Sequence, residues 1–208
     1  MNSFPLLLTL LIASSGVTAT KFPSCAPFPS SLIEFSSGFK EPLAPLVRDE
    51  YTANFIQHKW NRNLSHITAG YISNSPSVGI VVADEASDSG LASSLFNYAN
   101  TTQDGLVDNT LKSYSSNSSA VEVWRGYVNS GFPLFSQDFL VTNNAIFGGL
   151  VKRRFNEGYV ASWNIMYQGA IPVTVYVNNC NCVVGYDFFA TGERTKVITE
   201  YFNIQSKS

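Results

Sequence analysis

Residues 145–189 read AIFGGLVKRRFNEGYVASWNIMYQGAIPVTVYVNNCNCVVGYDFF, and the way apolar and polar side chains fall along this run decides the fold. Aromatic and β-branched residues dominate it, and period-two runs of such residues broken by Gly, Asn and Asp mark short strands. The run divides into strands over Ala145–Arg154, Tyr159–Tyr167, Val173–Val177 and Cys182–Phe189, with a turn at Asn156–Gly158. Both faces of these strands are apolar. Phe147 and Val151 alternate with Ile146 and Leu150, Trp163 and Ile165 oppose Val160 and Met166, and Val184, Tyr186 and Phe188 oppose Val183 and Phe189. A sheet with one wet face carries polar residues at every second position, so something covers both sides here. Self-packing and an apolar ligand in a concavity are the two ways to supply that cover.

Working outward, the same period predicts strands over Ile67–Ile72, Val78–Glu85, Ala92–Tyr98, Gly105–Leu111, Val121–Val128 and Thr195–Ile204. Closely spaced strands without intervening helices imply antiparallel meanders, hence a mostly β fold built as a strongly curved antiparallel sheet or open barrel. Leu43, Leu46, Val47, Tyr51, Phe55 and Ile56 recur near helical spacing, with Arg48, Asp49, Glu50 and Lys59 opposite them. This predicts one N-terminal helix over 43–60 packed on the sheet. Residues 20–42 hold Pro23, Pro27, Pro29 and Pro42, which favours an extended arm packing through Phe22, Phe28 and Phe35. The expected organisation is an export signal at 1–19, the arm at 20–42 and one β domain at 43–208.

The export signal rests on the run Leu6, Leu7, Leu8, Leu10, Leu11 and Ile12 followed by small residues ending at Ala19. It is too short for the roughly 20 residues of a spanning helix, so cleavage after Ala19 and an extracellular location are expected, with no transmembrane segment. Three acceptor sequons agree with export, at Asn63, Asn100 and Asn117. Three cysteines remain in the mature chain. A bridge from Cys25 to Cys180 or to Cys182 would close a loop of about 155 residues. Zinc is not expected, because the Cys-Asn-Cys run lacks a second pair and His58 and His66 lie far back in the sequence. Charged residues are 13% of the chain and the formal net charge is -2, which gives no attraction to nucleic acid. The basic run Lys152, Arg153 and Arg154 reads as a solvated strand end.

Four runs carry a further likeness: AGYISNSPSVGIVVADEASDSGLASSLFNYANTTQDGLVDNTL at 69–111, NAIFGGLVKRRFNEGYVASW at 144–163, IPVTVYV at 171–177 and EYFNI at 200–204. Their order over Gly70 to Ile204 resembles the ependymin-related proteins, whose curved sheet belongs with the bacterial lipoprotein-carrier (LolA-like) fold. The resemblance implies a secreted glycoprotein with a deep hydrophobic pocket for a lipid-like ligand, a homodimer in many members and calcium dependence in some. The chain departs from that family at Ala170, where members carry a cysteine, and in ending at Ser208 without a proline-cysteine tail. The family's disulfides therefore do not carry over. On this reading Phe147, Trp163, Tyr176, Tyr186 and Phe188 are the candidate ligand-binding residues.

A hydrolytic triad needs a histidine base, and neither His58 nor His66 lies in a nucleophile-elbow context. No cofactor or nucleotide motif is present. Asp84 and Glu85 end an apolar strand and point to opposite faces, so only one can face a concavity. The readings are then a secreted carrier of an apolar small molecule or lipid, a non-hydrolytic enzyme acting on a hydrophobic metabolite, and a surface interaction protein. In the enzyme reading His58, His66, Tyr51 and Tyr71 would converge on one cavity and tune proton transfer through burial.

Overall fold

The computed structural model describes residues 25–32, 39–61, 65–88, 90–115, 120–192 and 194–206. The expected export signal, Phe22, Phe35, Asn63 and Asn117 lie outside them. Eleven strands run through the described residues: β1 Tyr51–Trp60, β2 Ser65–Ser75, β3 Ile80–Ser87, β4 Gly90–Thr101, β5 Val107–Tyr114, β6 Val121–Val128, β7 Ile146–Lys152, β8 Tyr159–Tyr167, β9 Ile171–Val177, β10 Val183–Ala190 and β11 Thr195–Ser206. A four-residue helix, α1, spans Phe139–Thr142. All strands belong to one antiparallel sheet in the order β6-β5-β4-β3-β2-β1-β11-β10-β9-β8-β7. Two local meanders, β1–β6 and β7–β11, are thus joined where β1 pairs with β11, and β6 and β7 are the outer edges.

This is the open antiparallel sheet that the period-two pattern predicts, and it is strongly curled. The β4–β5 turn reaches the β8–β9 turn across the concavity, so a Cβ added at Gly105 would lie 2.8 Å from the Gln168 amide nitrogen. Gly70 permits a second close approach, because a Cβ there would sit 1.8 Å from the Asp84 carbonyl oxygen and 2.9 Å from the Phe55 ring.

The expected helix over 43–60 is not formed; Tyr51–Trp60 is β1, paired on both sides. Tyr51, Ala53, Phe55 and Gln57 are buried in alternation with Thr52, Asn54, Ile56 and His58, which is a strand's period. Leu43 and Leu46, counted toward the helical stripe, are 93% and 53% exposed. Pro45 removes a helical donor from the middle of the stripe, and two flanking strands offer β1 a full ladder on each edge. Tertiary pairing overrides a weak local preference.

The concave face carries the core, in which Phe55, Ile72, Val81, Val175, Tyr186 and Tyr201 are fully or almost fully buried. The segment between β6 and β7, residues 129–145, crosses the open side and fills this concavity from within. Phe132 meets Phe55 edge-on at 5.1 Å, and Phe135 lies 4.9 Å from Phe139 and 5.7 Å from Tyr186. Burial of each such ring contributes roughly 1.5–3 kcal/mol. Asn74 of β2 anchors the crossing, accepting from the Phe135 N–H at 3.1 Å and donating to the Phe135 and Asp49 carbonyls at 2.8 and 2.6 Å. The N-terminal segment is fastened at the same end, with Val47 N–H on the Gln137 carbonyl and Arg48 N–H on that of Asn181. Cys25 is bonded to Cys180, and Cys182 is free. Of the arm's expected anchors, Phe28 packs partly against the core.

Candidate functional site

What the crossing segment leaves unfilled is a cavity of about 270 Å³. Strand alternation sets its walls. In the second meander the inward positions are Tyr167, Ile171, Val173, Tyr186, Phe188 and Val197, so that wall is aromatic and aliphatic. Phe139 of α1 and Val107 of β5 close it from the crossing segment and the first meander. Asn129, Ser130, Gly131, Thr191 and Gly192 supply a polar rim. An apolar chamber with a few polar groups at its mouth is the usual form of a small-molecule site.

The phenols around the chamber are held neutral. Burial pushes the Tyr98, Tyr167 and Tyr186 hydroxyls up. Tyr98 donates to the Phe132 carbonyl and Tyr186 donates to the Gly131 carbonyl at 2.6 Å. These bonds fix the crossing segment against both walls and orient the rings as fixed surfaces.

Lys59 is the one charged residue lining the chamber among the described residues. It lies on the inward face of β1, opposite Val197 on one side and His66 on the other. Further along that face Glu85 of β3 accepts from the Thr68 hydroxyl at 3.4 Å. Burial raises the Glu85 carboxyl, and the nearby Lys59 ammonium and the Thr68 bond bring it part of the way back. The Nδ1 of His66 is buried with no hydrogen-bond partner among the described residues.

The sequence candidates separate by face. Phe147, Trp163, Tyr186 and Phe188 point inward; Tyr186 and Phe188 line the chamber, and their rings lie 6.3 Å apart. Phe147 packs on Trp163 at 5.3 Å deeper in the same wall. Tyr176 points to the convex side. There it donates to Asp187 at 2.8 Å and lies under the Arg153 guanidinium at 4.0 Å, and burial with the Asp187 bond pushes its hydroxyl up to about 12. Arg153, 12% exposed, also contacts Asp187 at 3.3 Å and Glu200 at 3.6 Å, so this member of the basic run pins the β7–β8 turn while Lys152 and Arg154 are exposed, as a solvated strand end would be.

Of the four residues named for an enzyme, Tyr51 and His66 point inward, whereas His58 and Tyr71 point outward. Tyr51 is buried against Tyr201, with ring centroids 6.0 Å apart, and His58 lies edge-on to Trp60 at 5.3 Å. Tyr71 lies in a separate open cleft with Asp84, Leu91, Tyr114 and Phe202. They do not share one cavity. Asn100 is exposed near the end of β4, where its side chain donates to Asp108 at 3.0 Å.

Sequence reading missed Lys59, Asn74 and the crossing segment. Lys59 was hidden by the helical reading of β1; a period-two reading would have put it on the face of Phe55 and Gln57. Phe132-Pro-Leu-Phe135 was the available signal for the crossing segment, since such a run between strands has no wet face of its own.

Among the described residues no group of three or more His, Cys, Asp or Glu could hold a metal ion, and no helix is long and apolar enough to cross a membrane. No family model matches the chain, and no curated protein matches it. Solved structures similar to it include a DUF1329 family protein from Desulfovibrio piger, at 8% identity and a TM-score of 0.32 over 77% of this chain and 86% of that one. Another is a candidate outer membrane lipoprotein-sorting protein domain from Vibrio parahaemolyticus, at 9% identity and a TM-score of 0.34 over 79% and 88% of the two chains. Likeness at this level transfers neither residue roles nor an activity.

Proposed function

We propose that this chain is an exported glycoprotein that holds a hydrophobic small molecule or lipid on the concave face of its sheet. The observation that carries the reading is the chamber of about 270 Å³, with Ile171, Val173, Tyr186, Phe188 and Val197 as its wall and a polar rim at its mouth. A self-filled sheet would close such a space, because protein interiors pack to crystal-like density. The Cys25–Cys180 bond supports export, since disulfides persist in oxidising compartments. The exposed position of Asn100 supports a glycan there, with Asn63 and Asn117 proposed alongside it from their sequons. The resemblance to ependymin-related proteins read from the sequence over residues 70–204 is in line with this proposal, and a homodimer belongs to it as an expectation to be checked by light scattering.

The test is extraction of the secreted, folded protein with organic solvent followed by mass spectrometry, together with titration of a fluorescent fatty-chain probe. Release of a stoichiometric apolar compound, or saturable probe binding weakened about tenfold or more by Phe188→Asp, is expected. Folded protein that releases nothing and does not bind the probe overturns the reading. Glycosidase treatment should lower the mass of the secreted chain and leave an Asn63→Gln, Asn100→Gln, Asn117→Gln triple variant unchanged.

A further inference from the structure

The chamber is apolar along its β9–β11 wall and charged at one point beside that wall, on β1. That point is Lys59, the only formal charge among its described lining residues. An ammonium beside apolar walls is unfavourable without an anion to meet it. One carboxyl group, Glu85, interacts with Lys59 through space but holds its hydrogen bond with Thr68, and Lys59 forms no ion pair among the described residues. Beside it in the same row of the sheet, Val197 of β11 pairs with Lys59 and with Phe188 of β10, so Phe188 lies two strands away on the same face. A ligand lying along the wall therefore meets rings at one end and a cation at the other.

Size narrows the class further. A space of about 270 Å³ lies at the low end of the roughly 300–1,000 Å³ usual for small-molecule pockets, which favours one short chain over a two-chain phospholipid.

We infer that the chamber selects single-chain anionic amphiphiles, of the fatty-acid type, whose carboxylate is met by Lys59 while the chain lies against Phe188, Val173 and Ile171. The inference rests on the proposed binding role of the cavity. It adds a sign of charge, a chain number and a residue that reads the headgroup. A charge-assisted contact of this kind is stronger than a neutral hydrogen bond, so the anion discriminates against the alcohol of equal length.

The experiment titrates decanoate, decan-1-ol and decyltrimethylammonium into the full secreted protein at neutral pH, followed by calorimetry. Decanoate is expected to bind about tenfold or more tighter than decan-1-ol, with the cationic amphiphile weakest. Lys59→Met is expected to remove the preference for decanoate over decan-1-ol, and Lys59→Arg to retain it. Equal binding of decanoate and decan-1-ol by the unmodified protein overturns the headgroup assignment and leaves the cavity reading standing. Binding of none of the three overturns both. Because the comparison of ligands on the unmodified protein decides by itself, a Lys59→Met chain that fails to fold does not shield the inference.

Discussion

The two meanders turn different chemistry toward the same concavity. From β7 to β11 the inward residues are Phe147, Trp163, Val175, Tyr186, Phe188 and Val197, whereas from β1 to β5 they include Gln57, Lys59, Thr68, Glu85, Ser94 and Asn109. The first kind of wall is stabilised mostly by burial, with Tyr186 donating to the Gly131 carbonyl at 2.6 Å. The second sets polar atoms beside the buried Phe55, Ile72, Val81 and Phe96 and must satisfy them, as Gln57 does with Thr199 of β11 at 3.1 Å. A sheet that is antiparallel throughout can therefore be almost wholly apolar inside on one half and a mixed, amphipathic trough on the other, and the crossing segment is what both halves grip.

Removing that grip from the apolar side should have the largest effect. Phe135 is fully buried between Phe139 and Tyr186. Phe135→Ala is expected to destabilise by about 3–5 kcal/mol, read from the urea midpoint. The polar side grips the same residue through Asn74. Asn74→Ala leaves the Phe135 N–H buried and unpaired and is expected to cost about 2–3 kcal/mol in the same assay. If the two substitutions together cost much less than their sum, the crossing segment is one cooperative unit.

The trough is tested by Glu85→Gln. Its carboxyl is raised in the folded state by burial, so the fold binds that proton more tightly than the unfolded chain does, and stability falls as pH climbs from the ordinary value of 4.5 through the folded one. The variant should be more stable than the parent at neutral pH and indistinguishable from it well below pH 4.5, as measured by thermal melts across that range. Smallest is Arg154→Ala on the convex face. Arg154 is 61% exposed and 3.8 Å from Glu200, so a change within about 0.5 kcal/mol is expected, and a larger one would mean the convex face is more than a solvated back.

The second meander was legible in its sequence because its strands are buried on one face and crowded on the other. Tyr159–Tyr167 of this meander matches its strand to the residue, as does the edge strand Val121–Val128 of the first meander. The first strand was not, since Leu46, Val47, Tyr51 and Phe55 happen to fall at helical spacing and nothing local reveals that β11 will arrive to pair with β1. The ligand wall was partly legible. Tyr186 and Phe188 reach the chamber, but strand parity cannot be chosen without the sheet, and Tyr176 fell on the face with Asp187. Asn74 lies between the expected strands Ile67–Ile72 and Val78–Glu85, and its three bonds to Asp49 and Phe135 are contacts no local pattern encodes.

The pairing of β1 with β11 also sets an order of events in time. Each meander has low contact order by itself, but the central ladder joins Tyr51 to Ser206 and Trp60 to Lys196, the first strand to the last. Long-range pairings of this kind are slow to form. A nascent chain that has not yet released Thr195–Ser206 carries two long strands, β1 and β10, each with one bare edge, which is the arrangement most prone to pair with another molecule. Productive folding therefore waits on β11, and a chain cut before Thr195 is expected to aggregate, whatever the other ten described strands have already built.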